Sequence, residues 1–242
     1  MKLLTSLALV FSGYTVVCQT LILTPKGGVN LATYSFAEAP YPSYALCYNW
    51  GLGLEIKLSN HFSICPEISY NQSGYLFEVD IGSGGLSRSK TVYNTIQIPL
   101  LAKYRIVLTN RFQFFVVGGS YASYNLGGHY KDEVISSNGG YNLEGEVIFG
   151  TQPIWPRGTQ PTFNPSNRYI EFGAERSDFG VILGLGGQYN VGPGAISIEA
   201  RFGWGLTDFY NKSSIYSTLY NSTNSKSRIA SFQIGYALKL GK

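Results

Sequence analysis

Residues Gly51–Tyr70 read GLGLEIKLSNHFSICPEISY and carry a turn signal, Ser59–Asn60–His61, near their centre. Folded back on that turn, Leu58 meets Phe62, Ile56 meets Ile64, Leu54 meets Pro66, Leu52 meets Ile68 and Trp50 meets Tyr70. The opposite face pairs Lys57 with Ser63, Glu55 with Cys65, Gly53 with Glu67 and Gly51 with Ser69. Side chains alternate across a strand, so one face is apolar and the other polar. Many half-buried sheets alternate in this way. The distinguishing feature is that charges sit opposite small residues, as the narrow interior of a small closed barrel requires. From Trp50 to Leu58 the apolar row extends about 26 Å at ~3.3 Å per residue. Tilted, it matches the apolar band of a membrane-spanning barrel, which is about 25 Å tall.

A second hairpin repeats the rule. Ser177–Val191 and Gly194–Asp208 flank Gly192–Pro193, which sets Leu183 against Phe202 and Val181 against Trp204 outside. Inside, Gly186 meets Glu199 and Gly184 meets Arg201. The remaining expected strands are Lys26–Tyr34, Thr91–Ile106, Phe112–Leu126 and Arg228–Leu240, with the first hairpin's strands at Cys47–Leu58 and Phe62–Phe77. The segments between are read as loops, including the Gly/Ser-rich Glu78–Lys90, the Ser/Asn/Tyr-rich Phe209–Ser227 and a long irregular stretch, Gly127–Arg176. Connections therefore alternate long and short, as in an up-and-down barrel with short periplasmic turns and long external loops. The expectation is an all-β, eight-stranded antiparallel up-and-down transmembrane β-barrel.

Composition agrees. Of 242 residues only 13% are charged, 15% are aromatic, and there are 19 Tyr and 29 Gly. A soluble domain carries about 25% charge. A formal charge of +4 without a basic cluster argues against nucleic acid as a partner. Lys2, the apolar run Leu3–Phe11 and Val16–Val17–Cys18 read as an export signal over residues 1–18, leaving 19–242 as the barrel domain. Val17 is large for a lipoprotein site at Cys18. Beyond that segment no apolar run is long enough for a membrane helix, and a membrane protein without one is a barrel. Cys47 and Cys65 are expected too far apart along the strands to bond.

Three segments resemble the outer-membrane β-barrel family common in Bacteroidota, which includes PorT-like proteins and shares the OmpA/OmpX-like eight-stranded plan. They are KGGVNL at Lys26–Leu31, GLEIKLSNHFSICPEISYNQSG at Gly53–Gly74 and TIQIPLLAKY at Thr95–Tyr104. The resemblance implies a barrel in the bacterial outer membrane. The chain end resembles the signal read by the barrel-assembly machinery, here Gln233, Gly235, Leu238 and Leu240, although aromatics are usual at the last two positions.

Catalysis requires converging acid, base or nucleophile groups. The two histidines, His61 and His129, have no second ligand at metal spacing, so no metal or cofactor is expected. His129, Asp132 and Glu133 sit together in sequence but read as a solvated loop. The inward charges Glu55, Lys57, Glu67, Lys103, Arg105, Glu199 and Arg201 are expected to pair into a structural network, since unpaired buried charge is costly. Tyr48, Trp50, Tyr70, Tyr104, Tyr189, Trp204 and Tyr236 read as interface girdles against outer-membrane lipid. Trp155, Phe163, Tyr169 and Phe172 in the long loop are the candidate contacts for a protein partner. The expected function is a non-enzymatic scaffold or partner-binding barrel. The alternatives are an accessory to protein secretion, a small ion pore or a soluble lipocalin-like carrier.

Overall fold

The computed structural model describes residues 20–35, 43–82, 85–135, 139–149, 169–172, 175–209 and 225–240. The export signal expected at 1–18 lies outside them, as do Trp155 and Phe163. Ten strands form among the described residues: β1 (Leu21–Ser35), β2 (Ser43–Lys57), β3 (Phe62–Gly82), β4 (Gly85–Val107), β5 (Phe112–Ile135), β6 (Tyr141–Phe149), β7 (Tyr169–Phe172), β8 (Ser177–Val191), β9 (Gly194–Gly205) and β10 (Lys226–Leu240). Eight of them, β1 to β5 and β8 to β10, close a ring, with β4 on β5, β5 on β8 and β10 back on β1, all antiparallel.

The ring's dimensions follow from its register. A path square to the strands runs from Leu21 through Ile56, Ile64, Ala102, Gly118, Leu183, Phe202 and Ala230, and returns to β1 at Leu31, ten residues above its start. With strands about 4.8 Å apart, a stagger of that size gives a tilt of about 40° and a radius of about 8 Å. The two hairpin registers read from the sequence are those found, with Trp50 on Tyr70, Gly53 on Glu67, Leu183 on Phe202 and Gly184 on Arg201.

Alternation then sorts the faces. Ile198 and Ile234 are each 63% exposed on the outside, and Leu100, Leu183 and Ile68 are exposed with them. Glu55, Glu67, Arg105, Glu199 and Arg201 are buried within. In water this arrangement would be unfavourable, because a large apolar surface would remain hydrated; in a bilayer it is the required one. Outward Tyr48, Trp50, Tyr70 and Trp204 lie toward the long-connection end, and Tyr104, Tyr189 and Tyr236 toward the tight turns. Trp50 and Tyr70 stack at 5.7 Å between ring centroids.

Three expected boundaries differ. β1 begins at Leu21 rather than Lys26. Glu78–Lys90 is not a loop: β3 and β4 continue through it as one long hairpin, pairing Glu78 with Arg88 and Asp80 with Leu86. Nor is Gly127–Arg176 irregular throughout, because β5 continues to Ile135 and pairs with β6, and β6 pairs in parallel with β7. The ladder supplies the backbone hydrogen bonds, so apolar alternation is not needed where the sheet stands in water. The outer part of β3–β4–β5–β6–β7 is thus a sheet projecting beyond the barrel.

Candidate functional site

The lumen is filled in three tiers. Nearest the short turns is an ion-pair network. On β4, Lys103 Nζ donates to Glu55 Oε2 at 2.9 Å and lies 4.0 Å over the Phe115 ring. Arg105 donates to the other oxygen of Glu55, and also to Ser63 Oγ at 2.6 Å. A second group centres on Arg201, which donates to both oxygens of Glu67 (2.7 and 2.9 Å) and both of Glu199 (2.8 and 3.0 Å). Lys26 Nζ completes it, 2.5 Å from Glu67 and 3.9 Å from Glu199. Small residues make the room. A Cβ at Gly184 would lie 2.9 Å from the Arg201 side chain, and one at Gly186 would collide with the Phe115 ring. The neighbours that require Gly186 are therefore Phe115 and the Ile198 carbonyl, rather than the Glu199 it faces across the ladder.

Lys57 is half-buried at the mouth of the short-turn end and makes no ion pair among the described residues. Lys26, by contrast, belongs to the network although it is absent from the expected set. It shares its parity with Asn30 and is opposite to outward Leu31, a signal that strand alternation alone carries.

The middle tier is a ladder of amides and hydroxyls. Asn30 accepts from Asn49 Nδ2 at 2.5 Å and from Ser231 Oγ at 2.8 Å, and donates to the Gln72 carbonyl at 2.9 Å. Gln233 donates to Asn49 Oδ1 at 3.0 Å, and Asn71 donates to Ser69 Oγ at 2.8 Å. Above it Asp178 Oδ2 accepts from Tyr121 and Ser227, both at 3.0 Å.

The upper tier is aromatic. Tyr34, Tyr75, Tyr93, Tyr130, Val147 and Phe209 form one buried cluster drawn from β1, β3, β4, β5, β6 and the segment after β9. Tyr34 and Tyr93 each lie 4.8 Å from Phe209 between ring centroids. Tyr34 also meets Tyr75 edge-on at 5.9 Å, a favoured aromatic geometry. Cavities lined by described residues within these tiers measure 20, 20 and 30 Å³. Each is the size of one or two water molecules.

The projecting sheet has two faces. Phe77, Tyr130, Leu143 and Val147 turn toward the aromatic cluster. The other face carries the ion pair of Glu78 with Arg88 (2.6 Å), and Lys131 between Glu133 (2.6 Å) and Glu144 (3.7 Å). The hydrogen bond and charge of Glu133 raise the Lys131 pKa, and Lys131 lowers that of Glu133 in return. His129 is paired with Val92 and Glu146 on this outer face, whereas Asp132 is paired with Ser89 and Leu143 on the inner. The two side chains leave opposite sides of the sheet and do not converge. His61 in its turn contacts the Arg105 carbonyl at 3.1 Å and stacks on Tyr104. Tyr169 and Phe172 lie on β7, the last strand of the projecting sheet.

A closed, polar-lined ring with an apolar exterior is the architecture of a bacterial outer-membrane barrel. Residues 18–211 match the family described as "Outer membrane protein beta-barrel domain". The chain belongs to that family. Its location is the bacterial outer membrane, and its closing strand, β10, lies beyond the matched residues. Among solved structures, this outer-membrane barrel is similar to Neisserial surface protein A, at 9% identity over 91% of this chain and 97% of that one, with a TM-score of 0.46. It is similar also to Ail, the attachment invasion locus protein of Yersinia pestis, at 12% identity, 90% and 98% coverage and a TM-score of 0.38. A third is the outer membrane protease OmpT from Escherichia coli, at 9% identity, 92% and 97% coverage and a TM-score of 0.41. No curated protein matches the sequence. At the barrel's seam, Gln233 and Gly235 face the lumen, while Leu238 and Leu240 are exposed on the outside.

Proposed function

We propose that this outer-membrane barrel is a non-conducting, non-enzymatic protein that acts through its projecting sheet, presenting a surface to a protein partner outside the cell. The observation that carries the reading is the filling of the lumen at three levels, where the cavities lined by described residues measure only 20–30 Å³, while β3 to β6 continue beyond the membrane band. A pore needs a hydrated path, and the aromatic and ion-pair tiers both obstruct one. A soluble ligand carrier needs an apolar interior and polar exterior, the reverse of these faces. Of the acid–base candidates of the extension, His129 and Asp132 diverge across the sheet, and Glu133, which shares the face of His129, is held by Lys131.

The segment between β6 and β7, with Trp155 and Phe163, and β7 itself, with Tyr169 and Phe172, form the proposed contact region. The resemblance to PorT-like barrels supports protein secretion in a Bacteroidota-type envelope as the process served. Outward Leu238 and Leu240 form the edge we propose the assembly machinery reads. The test has two arms. Planar-bilayer recordings of the purified protein should show no conductance steps, and regular steps would overturn the closed-lumen reading. Deleting residues 153–165 should leave a heat-modifiable barrel and abolish protein cross-links formed on intact cells. Cross-links that survive the deletion would overturn the assignment to that region.

A further inference from the structure

The short-turn end of the barrel carries cations without acids. No Asp or Glu occurs in the turns at residues 58–61, 108–111 and 192–193. At the mouth stand Lys57, the last residue of β2, and Lys239, near the end of β10. Lys239 shares the lumen-facing parity of Gln233 and Ala237, and its charge acts on Lys57, as does that of Lys103. The ammonium groups of Lys57 and Lys239 make no ion pair and no hydrogen bond among the described residues.

Beside them lies Arg105, which is 2% exposed. From β4 its guanidinium crosses β3 toward β2, donating through Nη2 to Ser63 Oγ at 2.6 Å and to Glu55. Ser63 is the ladder partner of Lys57 on one side and of Lys103 on the other. Such cross-strand neighbours lie about 5 Å apart between Cβ atoms, which sets the guanidinium within one strand spacing of Lys57. Its Nη1 is buried and has no hydrogen-bond partner among the described residues.

Charge is unbalanced at this level. Lys57, Lys103, Arg105 and Lys239 have one carboxylate among them, Glu55, because Glu67 and Glu199 are held by Arg201 and Lys26. A buried N–H without an acceptor is costly, and surrounding it with like charge raises the cost. A single anion with several acceptor oxygens relieves both. Chloride supplies charge from one point, whereas a tetrahedral oxyanion accepts from guanidinium and ammonium donors together.

We propose that Lys57, Arg105 and Lys239 form a binding site for inorganic phosphate in the mouth of the lumen, at the end that the short turns assign to the periplasm. The site does not rest on the partner-binding reading, which concerns the opposite end.

The test is isothermal titration calorimetry of the full-length folded protein in a neutral detergent. Inorganic phosphate is added in a chloride buffer of matched ionic strength. Phosphate should bind saturably at a single site. Lys57→Gln and Lys239→Gln should each weaken binding about tenfold, the share of one charged contact. Arg111→Gln removes an exposed turn cation at the same end and should leave binding unchanged. No saturable binding by the parent protein would overturn the proposal. Equal weakening by Arg111→Gln would also overturn it, because the attraction would then be diffuse. The heat-induced mobility shift shows which variants have folded. If Lys57→Gln does not fold, Lys239→Gln alone decides, and unchanged binding in it would overturn the site.

Discussion

Arg201 on β9 holds both carboxylate oxygens of Glu67 on β3, at 2.7 and 2.9 Å, across the lumen and 134 residues away in the chain. Three strands, β2, β1 and β10, separate the two around the ring. Because the same guanidinium also binds Glu199, one side chain ties opposite walls together and neutralises two buried acids. Replacing Arg201 with Leu leaves Glu67 and Glu199 with Lys26 alone. Removing one partner of a buried pair costs about 3–5 kcal/mol. The midpoint of urea unfolding, followed by loss of the heat-modifiable band, should fall accordingly. A midpoint unchanged in Arg201→Leu would show that the network contributes nothing to stability.

The amide tier predicts a sharp dependence on one residue. Asn30 is fully buried and bonds Asn49, Ser231 and the Gln72 carbonyl. Asn30→Leu deprives these groups of partners in a site with little water. Each group left unsatisfied costs about 1–3 kcal/mol. Asn94→Leu is an outward change at the external rim, beside Gln72, and serves as the control. Unfolding titrations should show a loss of several kcal/mol for the first and less than about 1 kcal/mol for the second. Equal effects would argue against the ladder's role.

Register and face were legible because they depend only on local pattern. A turn such as Ser59–Asn60–His61 fixes the pairing of its strands, and parity then assigns Glu55 and Trp50 to opposite faces. What pattern does not contain is the ring's stagger, which brings Arg201 to Glu67 rather than to any other inward acid. Lys26 escaped for a different reason. Pro25 beside it reads as a strand boundary, yet β1 runs through it, with the ladder to β10 interrupted at Thr24 and Pro25. The projecting hairpin was hidden by composition: Asp80-Ile-Gly-Ser-Gly-Gly-Leu-Ser-Arg-Ser89 lacks apolar alternation, since no bilayer selects an apolar outer face there. Nothing in the neighbourhood of Tyr34 or Phe209 signals an aromatic cluster, because its members come from six separate segments.

The cluster makes a testable demand on β6. Gly145 lies across the ladder from Tyr130, and a Cβ there would collide with the phenol ring, with Cζ only 2.7 Å away. The three nearest atoms all belong to the tyrosine side chain, so Gly145→Val must displace Tyr130 from the mouth. Overpacking of this kind costs about 1–3 kcal/mol. Limited proteolysis of the folded barrel should cut the extension faster in the variant while the membrane core stays intact. Shortening the ring's side chain with Tyr130→Ala in the same chain should remove the steric part of the effect. Cleavage as slow as in the parent protein would mean that the extension does not depend on this packing.

Cys47 and Cys65 are 1% and 6% exposed, and both thiols are free. Cys65 packs in the lumen with Leu101, Phe115 and Val117, and Cys47 against Ala45 and Val92. Thiol reagents act on accessible thiols, and burial suppresses access. The folded barrel should therefore shield both thiols from a polar maleimide, whereas boiling in detergent should expose Cys47 and Cys65 to it. Because the two cysteines lie in different clusters, partial opening should be resolvable by site. Labelling at Cys65 alone would report loosening of the Lys103–Phe115 region, and at Cys47 alone of the β2–β4 wall. Rapid labelling of both in the unheated protein would contradict the packed lumen on which the non-conducting reading depends.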